Sequence, residues 1–232
     1  MAVDADKPAS PSTAFRLRPQ CPGSGSRSGK TAGHRPEGGE QMPDVFEVLK
    51  KDHDEMKVML AELEDGPKAS DGATAEQLAF RRQALDQVII EQSKHEAAEQ
   101  QYFWPALGGL GSGGARVMQD GLEQENEAEP LLAELGKLEP GDEEFEERLT
   151  ALISAARAHI AFEEAHAWPL LKAAINHDQA QALGDRIAAA KKTAPTRPHP
   201  HIPPQAARTA GPVAGVADKV RDILTGRGKN PS

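Results

Sequence analysis

The sequence predicts an all-α protein: an antiparallel up-down-up-down four-helix bundle with a short C-terminal helical extension. Three features lead to it. Four long stretches place apolar residues at helical spacing, no stretch alternates apolar with polar residues as a half-buried strand would, and the stretches repeat one another in pairs. Long amphipathic helices joined by short links pack most simply as antiparallel neighbours.

Residues 1–41 are rich in Gly, Pro and Ser, show no apolar periodicity, and read as a disordered segment. Met42 is an alternative start of the chain, because Gly38-Gly39-Glu40 could be encoded by purine-rich codons resembling a ribosome-binding site. The bundle is expected over 42–176. Its first helix runs from about Asp44 to Glu64, with Val45, Val48, Leu49, Met56, Leu60 and Leu63 on one stripe, and Asp65-Gly66-Pro67 stops it. The second runs from about Thr74 to Leu107 and breaks at the glycines between Gly108 and Gly114. The third spans about Ala115 to Leu138, ended by Pro140-Gly141, and the fourth about Asp142 to Ile175. Pro130 falls inside the third and should bend it by clashing with the carbonyl of Asn126. Residues 177–232 are expected to hold a short helix, a Pro/His-rich strap and a basic amphipathic tail, with Val213, Val216, Val220 and Ile223 on one stripe.

Charge is unevenly spread. The net charge of the chain is -9, but residues 42–190 carry 13 Lys/Arg against 30 Asp/Glu, so the body is strongly acidic. An acidic body repels nucleic acid, and no nucleic-acid partner is expected. Cys21 is the only cysteine, which excludes an intrachain disulfide and a Cys-based zinc or iron–sulfur site. No run approaches the apolar length of a membrane span, and the first twenty residues lack a continuous apolar core of a secretory signal. A cytoplasmic protein is expected.

The chemistry lies in a repeated motif. His95 and Glu99 are followed by Trp104-Pro105, and His159 and Glu163 by Trp168-Pro169, every position offset by 64. A four-residue spacing puts each His and Glu on one helix face, about 5–6 Å apart at Cβ. Helices one and three repeat at an offset of 72, since Met59-Leu60-Ala61-Glu62-Leu63 matches Leu131-Leu132-Ala133-Glu134-Leu135. The bundle is therefore two helical hairpins whose equivalent helices face one another, and the two His/Glu pairs can converge on one interior point.

The 72-residue offset supplies two further candidates. His53, on the apolar stripe of helix one, maps onto Glu125 of helix three. Glu125 sits in a run of acids that would ordinarily be a solvated face, and the repeat register is what selects it over Glu123 or Glu129. Imidazole and carboxylate without thiolate suit Fe or Mn, with Zn a further option. Glu99 and Glu163 are assigned as bridges between two ions, His53 and His95 to one ion, and His159 and Glu125 to the other. Cations would also explain why an interior tolerates several carboxylates.

With His53, His95-Glu96, Glu99, Pro105, His159, Glu163 and Pro169, the chain resembles the hemerythrin-like HHE cation-binding family over about residues 42–175, in particular its actinobacterial branch. Pro195-Thr196-Arg197-Pro198-His199-Pro200-His201 resembles the tail of that branch. The resemblance implies a non-heme di-iron centre that binds or reacts with dioxygen, peroxide or nitrogen oxides, with catalase-like or peroxidase-like turnover as the enzymatic form. The alternative is a non-enzymatic oxygen or iron sensor or store. The expected partner is a small diatomic or peroxide ligand, and a homodimer stays open. The family usually has His where this chain has Glu125. An anionic donor there should favour the ferric state and weaken reversible oxygen binding, which points to redox handling of peroxide and related oxidants.

Other residues read more plainly. His166 and Tyr102 occupy equivalent places and are expected to be core polar groups. Glu96 is expected at the rim of the site or supporting a ligand. Trp104 and Trp168 read as core packing, and their Pro neighbours as kinks at helix ends. A lone Glu163-x-x-His166 does not make a ferritin-like site, which needs two such motifs. His177 should be exposed, and His199 and His201 should lie on a polyproline-like strap.

Overall fold

A computed structural model describes residues 43–198. Among these residues every regular element is helical. The sequence reasoning on 1–41, on His199 and His201 and on the stripe 213–224 lies outside the described residues.

Helix α1 (Val45–Asp65) opens on a capping box, with the Asp44 side chain accepting from the backbone N–H of Phe46 and Glu47 and the Glu47 side chain returning to the Asp44 N–H. These bonds satisfy donors that a helix start leaves free. Helix α2 (Ala75–Ala98) starts on a second box, Thr74 with Gln77. It does not run unbroken to Leu107 as an α-helix. Glu99–Phe103 forms a π turn, and α3 (Trp104–Gly108) completes the rod. Helix α4 (Ser112–Leu135) begins three residues before the expected start and continues through Pro130, whose position is solvent-exposed. Helix α5 (Phe145–Phe162) is followed by a second π turn, Glu163–Ala167, and by α6 (Trp168–Ala174).

The two π turns are related by the 64-residue offset, and each precedes Trp-Pro. Pro105 and Pro169 therefore do not kink the ends of their helices. They sit in the first turn of α3 and α6, where a missing N–H is harmless, and the wider turn before them absorbs the proline. The chain gains one residue per wide turn, which rotates everything beyond it.

Helices α1 and α2 pair, α4 and α5 pair, and α1 also contacts α5. A fifth long helix, α7 (His177–Lys191), packs on α1 and α2. Beyond it, Ala194, Pro195 and Thr196 are buried. The apolar interior forms two clusters. One gathers Leu60, Leu63, Leu85, Ile89, Leu132 and Phe145. The other gathers Val45, Leu49, Phe103, Trp104, Leu171 and Ile187. Along α1 the stripe passes from Leu49 in the second cluster to Met56 in the first, and His53 lies between them. A belt of polar side chains thus separates two apolar halves.

Candidate metal centre

Each of the six residues singled out in the sequence reaches this belt. His53, His95, Glu99, Glu125, His159 and Glu163 are all buried, none more than 8% exposed. The ligating atoms of His53, His95, Glu99 and Glu163 lie within 4.8 Å of one another, and so do those of Glu99, Glu125, His159 and Glu163. Glu99 and Glu163 belong to both groups. Glu163 turns one oxygen towards His53 Nε2 at 3.3 Å and the other towards His159 Nε2 at 2.8 Å. Glu99 Oε2 lies 3.0 Å from His95 Nε2. Glu125 stands further off, 3.8 Å from His159 Nε2.

Apart from these His–Glu approaches to one another, the inner atoms of this cluster have no hydrogen-bond partner. Nε2 of all three histidines and all four carboxylate oxygens of Glu99 and Glu163 are buried and unpaired. An orphaned buried polar atom costs on the order of 1–3 kcal/mol, so seven at one point need a common partner. The outer nitrogens, in contrast, are engaged. His53 Nδ1 meets Glu164 at 3.1 Å, His95 Nδ1 meets Asp52 at 3.3 Å and His159 Nδ1 meets the Gln124 amide oxygen at 3.3 Å. All three acceptors call for Nδ1–H, so each Nε2 aims inward and offers its lone pair once it gives up its proton. That is how imidazoles are oriented around a cation.

Electrostatics agree. Burial, then the neighbouring Glu163, push the Glu99 carboxyl up to about 8, and burial above all raises Glu125 to about 7. Burial opposes the charged form of His159, but Glu163 outweighs it and lifts the imidazole to about 9. His95 is likewise raised, Glu99 and Asp52 prevailing over burial. Glu163 is the exception: its histidine neighbours overcome burial and hold it below the ordinary carboxylate range. Without cations, the cluster competes for protons. The donor set fits one or two hard or borderline cations.

Several contributing residues escaped the sequence reading. Trp104 donates its indole N–H to Glu125, and Gln100 donates to the other Glu125 oxygen at 2.7 Å. Trp168 stacks on His53, ring centroids 4.8 Å apart and 18° from parallel. The two tryptophans therefore serve the cluster as well as the core. Gly121 makes room for Trp104, because a Cβ there would lie 2.3 Å from the indole. The repeat register could have found these residues, since Asp52 maps onto Gln124, Gln100 onto Glu164 and Trp104 onto Trp168.

Two expectations need correction. His166 is exposed, its ring tilted at 47° against Phe162, because the π turn rotates it off the His159 face. Glu96 is not at a rim. It is buried beside Gln92, which donates to it at 2.9 Å, and burial with the nearby Glu125 pushes its carboxyl up to about 8. Tyr102 is half-buried against the second apolar cluster, and His177 is exposed. A pocket between α1, α2 and α5 leads to His53, His95 and His159, walled by Met56, Met59, Ala156 and Ile160. No helix among the described residues is long and apolar enough to cross a membrane.

Comparison with known proteins follows the same lines. The family model of the hemerythrin HHE cation binding domain matches residues 44–171. A curated relative, an uncharacterized hemerythrin-like protein of Schizosaccharomyces pombe, is 24% identical over 142 residues, 60% of this chain and 70% of the relative. Among solved structures, a hemerythrin HHE cation binding domain-containing protein from Mycobacterium kansasii aligns with a TM-score of 0.54 at 19% identity. That alignment covers 81% of this chain and 96% of the other, and at such identity it speaks for the fold alone.

Proposed function

The chain belongs to the hemerythrin HHE cation-binding domain family, and from that premise we propose that His53, His95, Glu99, Glu125, His159 and Glu163 hold two iron ions that react with a small oxidant. Iron held by these residues would supply reversible one-electron redox chemistry. Dioxygen, peroxide and nitrogen oxides are the candidate reactants, with peroxide turnover of a catalase-like or peroxidase-like kind as the leading form.

One observation carries this reading: seven buried inward-facing atoms have no partner but one another, each imidazole among them held from behind by an acceptor. Glu163, which directs its two oxygens at histidines of different groups, suits a bridge. The pocket past Met56, Met59 and Ile160 suits a reactant of a few atoms. Glu125, fixed by two N–H donors, favours the oxidised metal over reversible oxygen carriage.

The test begins with metal content and the optical spectrum of the purified chain, followed by hydrogen peroxide added to iron-loaded protein. Two equivalents of iron and steady oxygen release support the reading. Reversible spectral change on oxygenation without turnover would favour the non-enzymatic sensor or store. Failure to bind two equivalents of any of iron, manganese or zinc would overturn it.

A further inference from the structure

Helix α7 lies beyond the segment that matches the family, yet it reaches the cluster. Its docking is tight. Leu183 and Ile187 join the apolar cluster of Val45 and Leu49. A Cβ on Gly184 would lie 2.8 Å from the backbone of Pro43, Asp44 and Val45, so only glycine lets the two helices meet this closely. This contact fixes the far end of α7, where Lys191 forms an ion pair with Asp52 Oδ1. The other oxygen of Asp52 faces His95 Nδ1 at 3.3 Å, and His95 Nε2 is one of the unpaired inward atoms.

The three cluster histidines are therefore not backed alike. His159 rests on a neutral amide, Gln124. His53 rests on Glu164, paired at 2.7 Å with Lys57, but these side chains are 34% and 44% exposed. Asp52 and Lys191 are 11% and 20% exposed. An exposed ion pair is weak because water screens it, whereas a mostly buried one holds its geometry.

We propose, resting on the metal reading above, that Lys191 is a positioning residue of the metal centre: α7 uses it to fix Asp52 against His95 Nδ1 and so to aim His95 Nε2 at its cation. Part of the centre's construction is thus supplied by a helix outside the family domain. Partners behind a ligand of this kind commonly change metal affinity by roughly 10–100-fold.

The experiment uses the full chain loaded with zinc, which is diamagnetic and permits nitrogen-15 NMR of the histidine rings. Lys191→Met should shift the His95 Nδ1–H resonance or speed its exchange while leaving those of His53 and His159 in place. It should also speed zinc release to a chelator about tenfold. Lys191→Arg, which keeps the ion pair, should restore both. Lys57→Met should change zinc release less than twofold. A Lys191→Met variant with wild-type His95 signals and release overturns the assignment. So does one that perturbs all three histidines equally, since that would be general loosening. A wild-type chain that takes up no zinc, iron or manganese removes the metal reading itself, and this inference with it.

Discussion

Gln100 and Glu164 occupy equivalent places in the two hairpins and carry opposite hydrogen-bonding chemistry. Gln100 donates its amide to the carboxylate Glu125, while Glu164 accepts from the imidazole of His53. Each outer residue complements the inner one it faces. The carboxylate at 125, which stands where the other hairpin has His53, is thus matched by an amide behind it. Gln100→Glu alone should set two carboxylates against each other and lower stability by about 1–3 kcal/mol. Gln100→Glu with Glu125→His should recover most of that loss and shift the loaded centre towards reversible oxygen binding. Urea denaturation checks the first outcome and oxygen titration of the reduced protein the second.

Trp104 holds Glu125 through one N–H, and Gly121 holds Trp104. Trp104→Phe keeps most of the volume but removes the donor, and should cost about 1.5–3 kcal/mol, the range for a hydrogen bond to a charged group. Gly121→Ala should also destabilise, by roughly 1–3 kcal/mol, because the indole has to move. Thermal melts of metal-free protein give both values, and loss of one metal equivalent in Trp104→Phe would mark Glu125 as its point of action.

Stability should depend on pH in opposite ways with and without metal. Glu99 rises from 4.5 to about 8 and His159 from 6.5 to about 9 in the folded, metal-free chain. Both bind protons more tightly folded than unfolded. Glu99 therefore contributes stability at and below its unfolded value that fades up to about pH 8. For His159 the contribution is full below 6.5 and gone above about 9. Metal-free protein should melt lower at pH 9 than at pH 6.5. Cations bind the deprotonated forms, so loading should release protons and the metal-induced rise in melting temperature should grow over the same interval. Calorimetry in buffers of different ionisation enthalpy measures the released protons; none released between pH 7 and 9 would contradict this.

Glu163→Gln should remove the carboxylate charge that, with that of Glu99, is common to both groups, so metal affinity should fall at least tenfold. The same change removes a buried charge and leaves shape intact, so the fold should survive. His53→Ala should lose metal as well. His177→Ala, at an exposed position, should leave metal content unchanged. Elemental analysis of the purified variants decides each case.

Much of this arrangement was legible in the sequence because it is written twice. The offsets of 64 and 72 carry the convergence of His95, Glu99, His159 and Glu163, and place His53 opposite Glu125. Periodicity located the long helices to within a few residues. The π turns were not legible, since Trp-Pro alone reads as a kink, and one extra residue per turn is set by packing. His166 was misread for that reason. Asp52, Glu164 and Gln124 look like ordinary surface residues of acidic helices. Only the fold shows that they face imidazoles, although the same register would have paired them. Lys191 is harder still, because it belongs to no repeat and its partner lies 139 residues away.

The polar belt lies between the two apolar clusters of the interior. In the metal-free chain, each part must fold around a seam of buried acids and imidazoles held together only by the protons they share. A cation at the seam would tie four helices together at their midpoints and join the parts into one cooperative unit. Metal loss should then broaden the melting transition as well as lower it, with the Phe145 end and the Trp104 end unfolding out of step. Scarcity of the cation would reach the protein first as a loss of cooperativity.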